Sequence, residues 1–201
     1  MLVTMLVTMF DIALEKFPVR ATLRDGSPCS IRLMTADDEA SFRSFHTAIP
    51  EEGQLFIRSE IKDGSLFGRW MEDGENTEFL PLLAFVDGSL AAMGTLHLRP
   101  GGWKRHIGEV FFLIHPEFRG IGIVDCVMEE IIESARHCGL RRLESELNDE
   151  RVSAIEAMST AGFEELVRLP GYVLDMRAQS QDYVLMGKEL VAPFEHFGAG
   201  D

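Results

Sequence analysis

Apolar residues alternate with polar ones over 19–24 and again over 30–34, and Asp25-Gly26 lies between the two runs. That period of two predicts a pair of strands joined by a tight turn, so a hairpin opens the fold. The spacing then changes. Thr35 is followed by Asp38 and Glu39 and by apolar Ala40, Phe42 and Phe45, which makes Thr35 a helix N-cap. A second helical stretch is predicted over 55–71. Beyond an acidic loop at 72–78, apolar runs at 80–86 and 90–98 flank Asp87-Gly88-Ser89 and predict a second hairpin. Pro100-Gly101-Gly102 breaks the chain, and 107–114 makes a further strand.

The clearest helical pattern follows, with Val124, Val127, Met128, Ile131, Ala135 and Cys138 spaced by threes and fours. Gly139 ends it, and Arg136 and His137 sit in the last turn where the helix dipole favours positive charge. A strand over 140–147 leads into a helix capped near Asn148 or Asp149 and closed by Gly162. Strands over 163–169 and 183–190 complete the order, with a turn at Pro170-Gly171 between them. The fold class is α/β of the α+β kind: a mixed sheet of about seven strands with helices inserted at a few points, neither doubly wound nor a sandwich.

Composition narrows the function more than the fold. The 201 residues, 46% hydrophobic and 26% charged, are a globular chain rather than a disordered or coiled-coil one. Nineteen basic against 33 acidic residues give a net charge of −14, which argues against nucleic acid or an anionic membrane as partner. Any anionic ligand must therefore be held locally. Cys29, Cys126 and Cys138 form no CxxC pair, which speaks against structural zinc and a disulfide framework. The apolar start lacks a basic flank and a cleavage site, so 1–18 reads as an N-terminal extension, 19–190 as the domain and 191–201 as a tail. No run reaches the roughly 18 apolar residues of a membrane span, and a cytoplasmic address is expected.

Candidate chemistry concentrates in 110–125, where a strand, a glycine-containing turn and a helix start follow one another. Backbone N–H groups at a helix N-terminus hold anions such as pyrophosphate. Gly120 and Gly122 would let the backbone approach such a group, and Arg119 adds a charge. From Arg99 to Arg119 there are four basic residues against two acidic ones, a local reversal of the overall sign. Glycines that merely turn a strand into a helix explain the same spacing equally well. A nicotinamide-binding reading ranks low, because Asp125 stands at the third glycine position of that motif.

The run Arg119-Gly-Ile-Gly122-Ile-Val124 resembles the central signature of the GNAT superfamily of N-acetyltransferases, Q/R-x-x-G-x-G/A. The segment from Ala154 to Ala161-Gly162-Phe163 is similar to the superfamily's second motif, and Asp182-Tyr-Val-Leu-Met186 to its closing strand. The opening hairpin and Ile31-Arg-Leu-Met-Thr-Ala-Asp-Asp38 are most similar to the acetyltransferase domain of bacterial protein lysine acetyltransferases.

The resemblance implies a sheet with about four helices and a splayed central parallel pair, with acetyl-CoA as cosubstrate in the gap. Cofactor contacts would fall on Leu113, Ile114, His115, Arg119, Gly120, Ile121, Gly122, Ile123 and Val124. The acceptor, a primary amine such as a protein lysine, would enter from the other side, and a homodimer is a common assembly. Glu109 lies eleven positions before Gly120, the offset of the general base in the lysine acetyltransferases. Strand alternation puts it on the face of Phe111 and Leu113. Four positions depart from the pattern: Val124 replaces Gly or Ala, Asp125 adds a negative charge beside the loop, Arg151 replaces a cofactor-contacting Asn, and Met158 replaces the Tyr that serves as general acid. They motivate an alternative, a CoA-binding sensor or interaction module without catalysis. The nine acidic and three basic residues of 51–87 favour a cationic acceptor.

Overall fold

In the computed structural model, which describes residues 14–50, 79–99 and 101–190, eight strands form one sheet. The hairpin predicted at the start is β1 (Val19–Thr22) with β2 (Pro28–Leu33), and α1 (Glu39–Ala48) follows a short 3-10 turn at Ala36–Asp38. The second hairpin is β3 (Phe79–Val86) with β4 (Ser89–His97). After β5 (Ile107–Ile114) come α2 (Ile123–His137), β6 (Arg142–Asn148), α3 (Val152–Thr160), β7 (Glu164–Leu174) and β8 (Ser180–Glu189). The helix predicted over 55–71 lies outside the described residues.

The strand order is β1-β2-β3-β4-β5-β6-β8-β7, antiparallel throughout except for β5 beside β6. That pair must be parallel, because α2 carries the chain back across the sheet between them. α2 and α3 cover one face, where Ile123, Val127, Ile131 and Ala135 of α2 pack with Met158 of α3 over the strands. α1 covers the other face, where Phe42, Phe45 and Ile49 meet Leu83, Met93 and Leu113. Leu14 and Phe17, which precede β1, also pack against the larger core, and Lys16 bridges Glu130 and Glu133 of α2 at 2.6 Å.

Two predicted boundaries move. The helix cap expected at Asn148 or Asp149 is Arg151, whose carbonyl accepts the N–H groups of Ala154 and Ile155. Asp149 instead accepts the Asp182 N–H at 2.9 Å and so ties the end of β6 to β8. The turn expected at Pro170-Gly171 is an irregularity inside β7, and the reversal comes later. There Asp175 accepts the N–H groups of Arg177 and Gln179, both at 2.8 Å. β7 is an edge strand, so the N–H that Pro170 lacks is not missed by a ladder.

Candidate active site

β5 and β6 pair at only three positions, the last being Glu109 opposite Glu144. Beyond that rung β5 stays with β4 as far as Ile114 opposite Ala92, whereas β6 stays with β8 as far as Asn148 opposite Tyr183. Each strand follows its own half of a twisted sheet, and a gap opens between them. The backbone edges lining that gap have no ladder partner across it. The His115 N–H bonds the Ala91 carbonyl at 2.9 Å, so Leu113 and His115 address β4. Alternation then turns the N–H groups of Phe112 and Ile114 toward the gap.

The glycine loop lies at the C-terminal end of β5. Gly120 and Gly122 adopt φ of +81° and +85°, a left-handed conformation that side-chain-bearing residues avoid. The Cys126 N–H bonds the Gly122 carbonyl at 3.4 Å and begins the α2 ladder. The N–H groups from Gly122 to Asp125 thus precede the ladder, and Gly122 has no side chain to cap them. Ile123 is buried beneath the loop, and Ile121 accepts the Arg24 N–H at 3.0 Å through its carbonyl. The Arg24 side chain lies over Gly122 and pairs with Asp125 at 2.5 Å. Asp125 is therefore not the loose negative charge that its place in the loop suggests, because the β1–β2 turn supplies its counter-ion.

A cleft of about 530 Å³ runs through this region. Arg119, Gly120, Gly122 and Val124 line one wall, and Arg151 and Ala154 of the α3 start line the other. Its floor includes Phe112 from the α2 face of the sheet and Leu113 and Ile49 from the α1 face. The cleft thus reaches the gap and both sides of the sheet.

On the α1 face, Glu109 is half-buried and accepts a hydrogen bond from Arg99 at 2.9 Å. Arg105, the partner that sequence proximity suggests, donates instead to the Gly102 carbonyl at 3.1 Å. Register places Glu144 beside Glu109, with Glu146 and Asn148 on the same face of β6. Tyr183 of β8 joins them. Burial, followed by the nearby Glu146 carboxylate and its hydrogen bond and then by Glu144 and Glu109, pushes the phenol up to about 12. Asn148 is buried with neither side-chain amide atom partnered among the described residues.

Other sequence candidates fall elsewhere. Met158 is fully buried in the core, so no proton donor stands at that position. Burial pushes the Cys138 thiol up to about 12 and the Cys29 thiol to about 11, which leaves both as neutral core residues. Sequence reasoning did not find Arg24, and it gave Glu146 and Tyr183 no place beside Glu109. The alternation of Glu144 and Glu146 is visible in the chain, but only the β6–β8 register brings Tyr183 to them.

Residues 39–163 match the Acetyltransferase (GNAT) family. The chain belongs to this family of acetyltransferases. No curated protein matches the sequence. Among solved structures, the acetyltransferase of GNAT family from Streptococcus pneumoniae is 23% identical with a TM-score of 0.64, over 81% of this chain and 99% of that one. The GNAT domain of S. lividans PAT is 19% identical, TM-score 0.66, over 86% and 96%. The Salmonella typhimurium protein yncA, solved with its cofactor acetyl-CoA, is 17% identical, TM-score 0.66, over 85% and 96%. These likenesses bear on the fold, and the GNAT fold agrees with the splayed parallel pair. Acetyl-CoA is the cosubstrate of GNAT enzymes, and this chain's features suit it: free N–H groups at the start of α2, a cationic Arg119 and an unpaired strand edge in the gap. None of the described helices is long and apolar enough to cross a membrane.

Proposed function

We propose that this chain transfers the acetyl group of acetyl-CoA directly to a cationic primary amine, with Glu109 as general base. The observation that carries the reading is the position of the gap: it opens at the Glu109–Glu144 rung, with the glycine loop reached from one face and three carboxylates on the other. An amine near pKa 10.4 is almost wholly protonated at neutral pH, and only its uncharged form attacks a thioester. Glu144 and Glu146 attract the cation, and Glu109 takes its proton. The nitrogen then bonds to the acetyl carbon as the carbon–sulfur bond breaks and gives up its second proton to water, while the Ile114 N–H faces the carbonyl oxygen in the gap. With methionine at position 158, the thiolate leaves as the anion or takes its proton from water. Tyr183 stays a neutral phenol throughout and holds the Glu146 carboxylate in place.

The carboxylates favour a lysine side chain or a polyamine as acceptor. Calorimetry with acetyl-CoA and CoA tests the class, and absence of binding of either at millimolar concentration overturns it. Glu109→Gln is expected to lower kcat about 100-fold at neutral pH with CoA affinity unchanged. Full activity of that variant removes Glu109 from the mechanism and leaves the family reading intact. Burial of Met158, with no phenol in its place, favours a second reading: a CoA-binding sensor without turnover. CoA binding combined with no product across a broad amine panel would establish it.

A further inference from the structure

Arg151 is a cation in the cleft with no counter-ion among the described residues. It lines the cleft that the glycine loop also lines, is half-buried, and has no side-chain hydrogen bond or ion pair among the described residues, although Glu150 and Glu156 line the same cleft. Several partly buried cations are matched, Lys16 with Glu130 and Glu133, Arg32 with Asp38 and Arg142 with Glu189, and Lys188 donates to the Ala161 carbonyl at 2.8 Å. Burial pushes the Arg151 guanidinium down from its ordinary value, yet a guanidinium keeps its proton under such conditions. A partly desolvated, unpaired charge destabilises the ligand-free fold unless something that binds there supplies the opposite sign.

The surroundings have the same polarity. The carbonyl of Arg151 accepts the first ladder bond of α3 from the Ala154 N–H at 2.9 Å, so the N–H groups of Val152 and Ser153 precede the ladder and point with the helix dipole. Ser153 and Ala154 line the cleft beside Arg151. Across the cleft, Arg24 is held by Asp125, which leaves Arg151 available to a ligand. A planar fork of N–H donors matches the oxygens of a phosphate or a carboxylate.

We propose that Arg151 binds an anionic group of the acyl-CoA donor, and so forms a second anion-binding wall facing the glycine loop. The inference rests on the acyl-CoA reading above. Two parts of such a donor carry suitable oxygens: the phosphates of CoA itself, and a carboxylate at the far end of a dicarboxylic acyl group.

Calorimetry on the full chain with CoA, pantetheine, acetyl-CoA and succinyl-CoA separates the sources. If Arg151 holds a phosphate, Arg151→Gln weakens CoA about tenfold or more, Arg151→Lys recovers part of the loss, and pantetheine is unaffected. If it holds an acyl carboxylate, CoA and acetyl-CoA are unchanged and succinyl-CoA alone loses that factor. Either pattern supports the inference. It is overturned if Arg151→Gln leaves all four within twofold, or if pantetheine weakens as much as CoA. Thermal unfolding supplies an independent readout, with ligand-free Arg151→Gln expected to melt no lower than wild type and to gain less from CoA. A lower melting temperature with the full CoA shift retained marks a structural role and overturns the inference. Wild-type protein that binds no CoA-type ligand removes the acyl-CoA reading itself, whereas wild type and Arg151→Gln binding alike removes only the role of Arg151.

Discussion

Asp38 is buried with both oxygens engaged. Arg32 grips it in a two-pronged contact at 2.6 and 2.7 Å, and the Thr35 N–H and hydroxyl donate at 2.8 and 3.0 Å. The Arg32 hydrogen bonds, opposed by burial and assisted by Thr35, hold the carboxyl below its usual range. A depressed folded-state value means that the stabilisation is full above the unfolded carboxylate pKa of about 3.9 and is lost as pH falls through the folded value. Asp38→Asn is therefore expected to cost about 2 kcal/mol in urea unfolding at pH 7, a figure discounted because Arg32 is a third exposed. The difference from wild type should shrink below about pH 4, and a constant difference down to pH 2 counts against the pair. The turn at Thr35 was legible because a capping residue and its acidic partner are close in sequence, although Thr35 opens the 3-10 turn and α1 itself starts at Glu39 with Asp38 as its cap. Arg32 was not, because its contact needs β2 and the turn to fold back together.

Elements meet closely where α2 crosses β4. A Cβ on Gly94 would stand 2.6 Å from Val127 Cγ1 and 2.7 Å from Ile131 Cδ1, closer than carbon atoms pack. Both neighbours are buried and have little room to move. Gly94→Ala is expected to destabilise by about 1–3 kcal/mol and to lower Tm. Because α2 also presents the glycine loop, CoA affinity should fall with it, and a neutral substitution would show that the helix can be lifted at no cost. Periodicity found α2 and the strands with little error, since burial on one face imposes a repeat on each element. It misjudged the end of β7 because Pro170-Gly171 ordinarily marks a turn, while an edge strand absorbs the same pair as an irregularity.

Across the whole molecule, the charge of −14 includes one acidic cluster placed by the sheet. Glu109, Glu144 and Glu146 share the α1 face, whereas the cleft reached from the helix side balances Arg24, Arg119 and Arg151 against Asp125, Glu150 and Glu156. In the reaction proposed above, the acidic α1 face would steer a cationic acceptor toward its own opening. For a polyamine acceptor, kcat/KM is expected to fall several-fold between roughly 50 and 500 mM salt with kcat little changed. A flat salt profile would exclude steering by that face.

The sequence by itself determined the order of elements, the glycine loop at the head of α2 and the family, because these depend on local periodicity and on spacing within a few tens of residues. Only the tertiary structure decided where β5 and β6 part, that Arg24 neutralises Asp125, that Tyr183 stands among the glutamates and that Arg151 has no partner among the described residues. Each of these joins residues distant in the chain, and their meeting depends on register across the sheet and on which half of it each strand follows.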